Sequence, residues 1–283
     1  VTSIGWVTSI VQTAAASQKR INEFMSIKSN MKQEGVFKKL ILGNIMFSDV
    51  SFKYEKNDAL NKINFSINKG EFLGIIGGVG SGKSTVLQLI CRFLDSQSGS
   101  IIIDNEPIEN YNINNLRKNI SYVPQESFLF SDSIRNNLLF GNSKASEKDL
   151  NKVLDLVCIS KEVSKFKSGI DTLIGERGVT LSGGQKQRLN IARALLKDSN
   201  IILIDDALSN IDVENEKKIL SNIYSYKKLK TVIIVSNRIS TISSCDQIIV
   251  LDKGNLVQKG THNELLNVNG YYKRIYDIQN KTI

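Results

Sequence analysis

The sequence predicts an α/β fold: a parallel sheet covered by helices, joined to an antiparallel β subdomain and carrying an inserted α-helical subdomain. Three observations predict it. Ile45, Phe47, Val50, Phe52 and Tyr54, and later Ile63, Phe65 and Ile67, alternate with polar neighbours, the period of half-buried antiparallel strands. Phe72 to Ile76, Ile201 to Ile204 and Val232 to Val235 are short unbroken apolar runs, which suit strands buried on both faces. Between the first two runs lies a helix-rich stretch from about Ser127 to Leu196, and a helical subdomain is expected over about residues 127–190.

The chain opens with apolar residues at helical spacing, Val7, Ile10, Val11, Ala14, Ile21, Phe24 and Met25, between Trp6 and Ile27. A polar stretch from Lys28 to Lys39 follows, so residues 1–39 read as a helix and linker and residues 40–283 as the main domain. With 283 residues, 41% apolar and 23% charged, the composition excludes disorder, and one large domain with a subdomain fits it best. No apolar run reaches the roughly 18 residues that cross a bilayer. Gln12, Gln18, Lys19 and Arg20 interrupt the N-terminal stretch early. The first residue is Val1, and no signal-peptide pattern precedes the helix, so a longer parent chain is expected. Ser146-Glu147-Lys148-Asp149 reads as a capping box ahead of Leu150, Val153, Leu154 and Val157. Asp252-Lys253-Gly254-Asn255 reads as a hairpin turn before a C-terminal helix.

The net charge of +9 is spread through the chain without a long basic block, which predicts a solvated surface and no nucleic-acid partner. Cys91, Cys158 and Cys245 are far apart, each beside apolar residues, and read as buried thiols of a cytosolic domain. The single histidine, His262, falls in the segment Gly260 to Glu264 and reads as a structural or solvated side chain.

Chemistry concentrates after the first apolar strand. Gly77-Gly78-Val79-Gly80-Ser81-Gly82-Lys83-Ser84-Thr85 stands between that strand and a helical pattern, the context a phosphate-binding P-loop requires. Glycines let backbone N–H groups face phosphates, the helix start adds favourable partial charge, Lys83 reaches the β- and γ-phosphates, and Ser84 holds Mg²⁺. The core is therefore expected to be of P-loop NTPase type, with ATP and Mg²⁺ as ligands. The apolar strand Ile201 to Ile204 delivers Asp205 and Asp206 at its C-terminal end, where α/β sheets place ligands, and Asp205 reads as the metal-side acid.

Leu181-Ser182-Gly183-Gly184-Gln185, followed by helical residues, completes a set that resembles the ABC transporter ATPases from about residue 40 to the end. The resemblance implies that this second motif, with Asp212, caps the ATP held by a partner ATPase domain in a head-to-tail dimer. It further implies that Tyr54 stacks on adenine and that Gln125 approaches Mg²⁺ and reports to a transmembrane domain. Thr172-Leu173-Ile174-Gly175-Glu176-Arg177-Gly178 resembles the exporter-type loop that contacts coupling helices. Ala14 to Ile21 resembles the segment joining the last membrane helix to the ATPase in fused exporter half-transporters. An ATPase motor on the cytoplasmic face of a cell membrane, with a transmembrane domain N-terminal to it, is what these features imply.

Two positions depart from the family's pattern. Asp206 stands where the family usually has a glutamate acting as general base, and its carboxylate sits back by roughly 1.5 Å, one C–C bond. Asn237 stands where the family usually has a histidine, and an amide donates a neutral hydrogen bond but cannot become an imidazolium. Both affect the site on this chain's own P-loop, while Leu181 to Gln185 is intact, so slow hydrolysis here and a heterodimer with a more active partner site are expected. An active homodimer, and a regulatory module whose ATP clamps a dimer, remain open alternatives.

Overall fold

A computed structural model describes residues 2–26, 35–55, 57–175, 178–226 and 230–281. Residues 1–33 and 34–283 form two separate compact units. In the first, helix α1 (Thr2–Ser26) runs as the periodicity predicts, and the predicted end at Ile27 and most of the linker lie outside the described residues. No described helix is long and apolar enough to cross a membrane.

The second unit begins with strands β1 (Ile45–Tyr54) and β2 (Asn57–Ile67), paired antiparallel. Register shifts between Phe47 and Phe52, with Asp49 at φ 49°, form a bulged region. Adding a residue there lets Phe47 and Val50, three apart, both be buried. Strand β3 (Phe72–Gly77) leads through the glycine-rich loop into helix α2 (Lys83–Ile90). Strands β4 (Ser98–Ile103) and β5 (Glu106–Pro107) complete a four-stranded antiparallel sheet ordered β2-β1-β4-β5. These two had no clear sequence signal, because β4 is buried only from Ile101 onward and β5 is two residues long.

Helix α3 (Ile113–Lys118) and strand β6 (Ile120–Val123) precede the helical insertion. It comprises α4 (Ile134–Leu139), α5 (Glu147–Leu156), the single turn α6 (Ser160–Val163) and α7 (Gly183–Leu196). The capping box forms as expected: Ser146 and Asp149 satisfy each other's backbone N–H groups at the start of α5. Then come β7 (Ile201–Asp205), α8 (Val213–Tyr226), β8 (Thr231–Val235), α9 (Ile239–Ile242), the hairpin β9 (Gln247–Asp252) and β10 (Asn255–Gly260), α10 (His262–Asn267) and α11 (Tyr271–Lys281). Lys253 and Gly254 both have positive φ, as a two-residue hairpin turn of this hand needs.

The second sheet is ordered β10-β9-β3-β8-β7-β6 and is parallel except for the edge strand β10. Its unbroken apolar runs divide by the two-residue period of a strand. Ile202, Ile204, Val232 and Ile234 pack with helices α4, α5, α7 and α8, while Leu203, Ile201, Ile233 and Val235 pack with α2 and the antiparallel sheet. Helix α2 is thus sandwiched between two sheets, which fixes the loop that starts it.

Cys91 and Cys245 are buried, as expected, and burial pushes both thiols up to about 12. Cys158 is only half-buried, because it sits with positive φ in the turn that ends α5 at the surface. His262 Nδ1 lies 2.7 Å from the hydroxyl of the fully buried Tyr272, a structural contact between α10 and α11. Leu203→Ala, at a fully buried site in β7, is expected to cost about 3 kcal/mol in urea unfolding without changing the slope.

Candidate nucleotide site

The loop from Gly77 to Thr85 leaves β3 at its C-terminal end and enters α2. Gly82 has φ +99°, and a Cβ there would stand 2.5 Å from the Ala59 carbonyl, so only glycine closes this turn. Lys83 Nζ donates to the Gly77 and Gly78 carbonyls, each at 2.8 Å, placing the ammonium at the centre of the loop. Ser81 is 3% exposed, and its hydroxyl has no hydrogen-bond partner among the described residues. A buried orphan hydroxyl beside the unsatisfied N–H groups of a helix start fits an anionic acceptor.

Tyr54, Asn57, Asp58, Ala59 and residues Gly80 to Thr85 line a cleft of about 280 Å³. Tyr54 donates its hydroxyl to Gln88 Oε1 on α2 at 2.8 Å and meets Phe52 edge-on, with ring centroids 4.9 Å apart. The ring remains 43% exposed, so it is held from two sides and open to a flat ligand on another.

Asp205 closes the site from β7. It is 3% exposed; Ser84 Oγ donates to its Oδ1 at 2.9 Å and the Tyr122 hydroxyl donates to its Oδ2 at 3.0 Å. Burial and the Asp205 charge push the Tyr122 phenol above its ordinary range, so it stays a donor. Tyr122 was not singled out from sequence; the available signal was a polar-tipped aromatic between Ser121 and Val123 in the short strand beside β7. Gln125 is exposed two residues beyond β6, and the described hydrogen bonds at Asp205 do not include it. The adjacent Ser84 and Asp205 oxygens are hard donors, and no group of three or more His, Cys, Asp or Glu side chains able to hold a metal occurs among the described residues. One serine and one carboxylate suit Mg²⁺, which takes few protein oxygens and completes its shell with phosphate and water.

Asp206 adopts φ +47°, and its N–H donates to the Val235 carbonyl at 3.0 Å, joining the ends of β7 and β8. Asn237 Nδ2 lies 3.4 Å from Asp206 Oδ2, a long hydrogen bond. Burial raises the Asp206 pKa above its ordinary value; the Lys83 charge opposes that and the Asp205 charge adds to it. Burial likewise lowers the Lys83 pKa, against the pull of both aspartates. The three groups therefore form one electrostatic unit.

Arg238, next in the chain, donates to Glu216 Oε2 at 2.8 Å and to the carbonyls of Ser209 at 2.7 Å and Ile211 at 3.2 Å. Glu216 is 2% exposed and also accepts from Thr241. This pair binds the Asn237 turn to the loop 209–212, and Glu216, one of two acids in the first turn of α8, gave no sequence signal for it.

The second glycine motif lies at the start of α7. Ser182 and Gln185 form a capping box, with Ser182 N–H donating to Gln185 Oε1 at 2.9 Å. Gln185 Nε2 then reaches Glu162 at 2.8 Å, which Arg188 grips through both carboxylate oxygens at 2.6 and 3.0 Å. Leu181 is buried, and a Cβ on Gly184 would meet the Asn210 carbonyl at 2.8 Å. Gln187 Oε1 accepts from Asn210 N–H at 3.0 Å, fastening α7 to the same 209–212 loop. Asp212 caps α8 through Asn215 N–H at 2.9 Å. Among the described residues, no hydrogen bond joins residues Leu181 to Gln185 to the loop from Gly77 to Thr85, so this chain presents two separate glycine-rich helix starts.

An aromatic patch escaped the sequence reading altogether. Phe128, Phe130 and Phe140 are exposed, with Phe130 stacked on Phe140 at 4.4 Å and Phe128 edge-on to Phe130 at 4.9 Å. Phe128 to Phe130, Ile174, Gly175 and Val179 to Leu181 flank a groove of about 420 Å³. Of the expected coupling loop, Thr172 to Gly175 is held by Ile134 N–H on the Thr172 carbonyl and Ile174 N–H on the Asp132 carbonyl. Glu176 and Arg177 lie outside the described residues.

This architecture is that of a P-loop ATP-binding domain. The chain belongs to the ABC transporter family, whose sequence model matches residues 60–209. It is 42% identical over 272 residues to YfiB of Bacillus subtilis (strain 168), described as an uncharacterized ABC transporter ATP-binding protein, covering 95% of this chain and 47% of that protein. It is 38% identical over 282 residues to YheI of the same organism, a probable multidrug resistance ABC transporter ATP-binding/permease protein, covering 98% and 48%. A bacterial Atm1-family ABC exporter solved with ATP bound superposes with a TM-score of 0.90 at 32% identity, covering 98% of this chain and 49% of that one. The chain spans about half the length of the curated relatives it matches.

Asp206 carries a sign for pH. Its folded-state pKa is raised, so its contribution to stability is fully present below the unfolded carboxylate value of about 3.9 and is lost as pH rises through the raised value. Asp206→Asn is therefore expected to raise the urea midpoint at neutral pH and to flatten stability against pH over that window.

Proposed function

We propose that the chain is the ATP-hydrolysing motor domain of an ABC exporter and that its own ATP site is a slow one. The observation that carries the nucleotide reading is the Ser84–Asp205 hydrogen bond beside the Lys83-centred loop. In this reading Gly77, Gly78, Val79, Gly80, Ser81, Gly82 and Thr85 present backbone or hydroxyl groups to the phosphates. Lys83 exchanges its contacts with loop carbonyls for the β- and γ-phosphates, and Tyr54 stacks on the adenine. Ser84 and Asp205, with Gln125 drawn in from its exposed position, hold Mg²⁺. Mg²⁺ supplies charge neutralisation at the phosphates.

Asp206 accepts the proton of the attacking water, and Asn237 holds the γ-phosphate by an amide donor. A base works when within about 2.6–3.2 Å of the proton it takes, and such positioning contributes about 10²- to 10⁴-fold in rate. The shorter Asp206 side chain forgoes part of this. Leu181, Ser182, Gly183, Gly184 and Gln185, with Asp212, serve the ATP of a second ABC ATPase domain, which supports a heterodimer whose other site is faster. The exposed aromatic patch and the adjoining groove suit the helices of a transmembrane domain, a reading supported by relatives described as ATP-binding/permease proteins. That assembly places the chain at the cytoplasmic face of a membrane, working on nucleotide and not on nucleic acid.

In the full-length transporter, Lys83→Ala is expected to abolish ATP retention at this chain's site. Asp206→Glu with Asn237→His is expected to speed hydrolysis there by about 10²-fold. Brisk turnover by the unaltered chain paired only with itself would instead identify an active homodimer.

A further inference from the structure

Helix α11 carries an apolar stripe that ends in an amide. Tyr272 is fully buried, and Ile275 and Tyr276 pack against the same core; the next position on that face, one turn on, is Gln279. A leucine there would continue the stripe. Instead the half-buried Gln279 amide uses both ends on the backbone that follows β8: Nε2 donates to the Asn237 carbonyl at 2.7 Å, and Oε1 accepts from Ile239 N–H at 2.9 Å. The Ile239 N–H is the first of α9, a donor with no partner inside its own helix. One side chain therefore fixes two peptide groups flanking Arg238, and with them the point from which the exposed Asn237 side chain extends.

The contact this serves has little tolerance. Asn237 Nδ2 and Asp206 Oδ2 are 3.4 Å apart, at the outer edge of a hydrogen bond, so a further displacement of a few tenths of an ångström removes it. The Asn237 backbone also hydrogen-bonds the Asp206 carboxylate, and its neighbours are tethered through Arg238 to the 209–212 loop and through Ser236 N–H to the Ile75 carbonyl at 3.1 Å, so Gln279 adds the one restraint that comes from α11. The other end of α11 is set by Tyr272, whose N–H donates to Gln258 Oε1 at 3.0 Å and whose hydroxyl meets His262. Both anchors of the helix are thus specified, and its last turn acts on the turn that carries Asn237.

We propose that Gln279 is a positioning residue for ATP hydrolysis at this site, holding Asn237 against Asp206 by the bond from its amide to the Asn237 carbonyl. The inference rests on the reading of Asp206 and Asn237 as hydrolytic groups. It assigns a role to the C-terminal helix that neither group's own position in the sequence announces.

The test uses the full-length transporter with its partner. ATP held at this chain's site is followed through a single round of hydrolysis in Gln279→Leu and Gln279→Glu, alongside ATP affinity, melting temperature and a Lys83→Ala control. Glutamate still accepts from Ile239 N–H but cannot donate to the Asn237 carbonyl. Gln279→Glu is expected to hydrolyse about 5-fold more slowly, the effect of the one bond it loses, and Gln279→Leu, which loses both, at least as slowly, with ATP affinity and melting temperature unchanged. Wild-type rates in either variant, or a rate loss matched by loss of affinity and melting temperature, overturn the proposal. Lys83→Ala separates the two levels of failure. If it abolishes ATP retention while the Gln279 variants are silent, only the clamp is wrong; if it leaves retention intact, the nucleotide reading fails and the clamp falls with it.

Discussion

The constraint on which this domain depends is the double-sided burial of three adjacent parallel strands. With helices on one face and α2 plus a second sheet on the other, β3, β8 and β7 have no wet side, so between their ends the side chains are apolar or absent, and Thr231, at the start of β8, satisfies its hydroxyl on the Gly43 carbonyl. Polar chemistry can begin only where the strands end. All three run in the same direction, so the loop bearing Lys83, the turn bearing Asn237, and Asp205 with Asp206 emerge along one edge. The site is a consequence of where burial stops.

At that edge the balance of burial and charge sets the character of each group. Lys83 and Asp206 are each pushed toward neutrality by desolvation and pulled back by the opposite charge nearby. Asp205 is treated differently: two hydroxyl donors occupy its two oxygens. Two consecutive aspartates thus have separate environments, one committed to a serine and a tyrosine, the other facing a lysine and an amide.

Much of this was legible in the sequence, for physical reasons that vary by element. The buried strands were readable because unbroken runs of four or five residues without a charge admit few alternatives, and the phosphate loop because a glycine at φ +99° against a carbonyl leaves no latitude in residue choice. The turns of α5 and of the β9–β10 hairpin were readable because their chemistry is local. What escaped was long-range. Tyr122 finds Asp205 across 83 residues, Gln279 reaches back to Asn237 across 42, and Phe128, Phe130 and Phe140 gather by tertiary packing. Gln125 was assigned by resemblance, and its exposed place beyond β6 is one that no local pattern specifies.

The missing Cβ of Gly184 has a mechanical meaning. It lets α7 settle on the Asn210 carbonyl, and Gln187 then stitches the helix to the same residue. The loop 209–212 is in turn gripped by Arg238, one residue from Asn237. The start of α7 and the Asn237 turn therefore share one frame: α7 is bolted to the loop that the Asn237 turn also holds. A substitution that shifts residues 209–212 would carry the start of α7 and the Asn237 turn along together, because both are fastened to the same four residues.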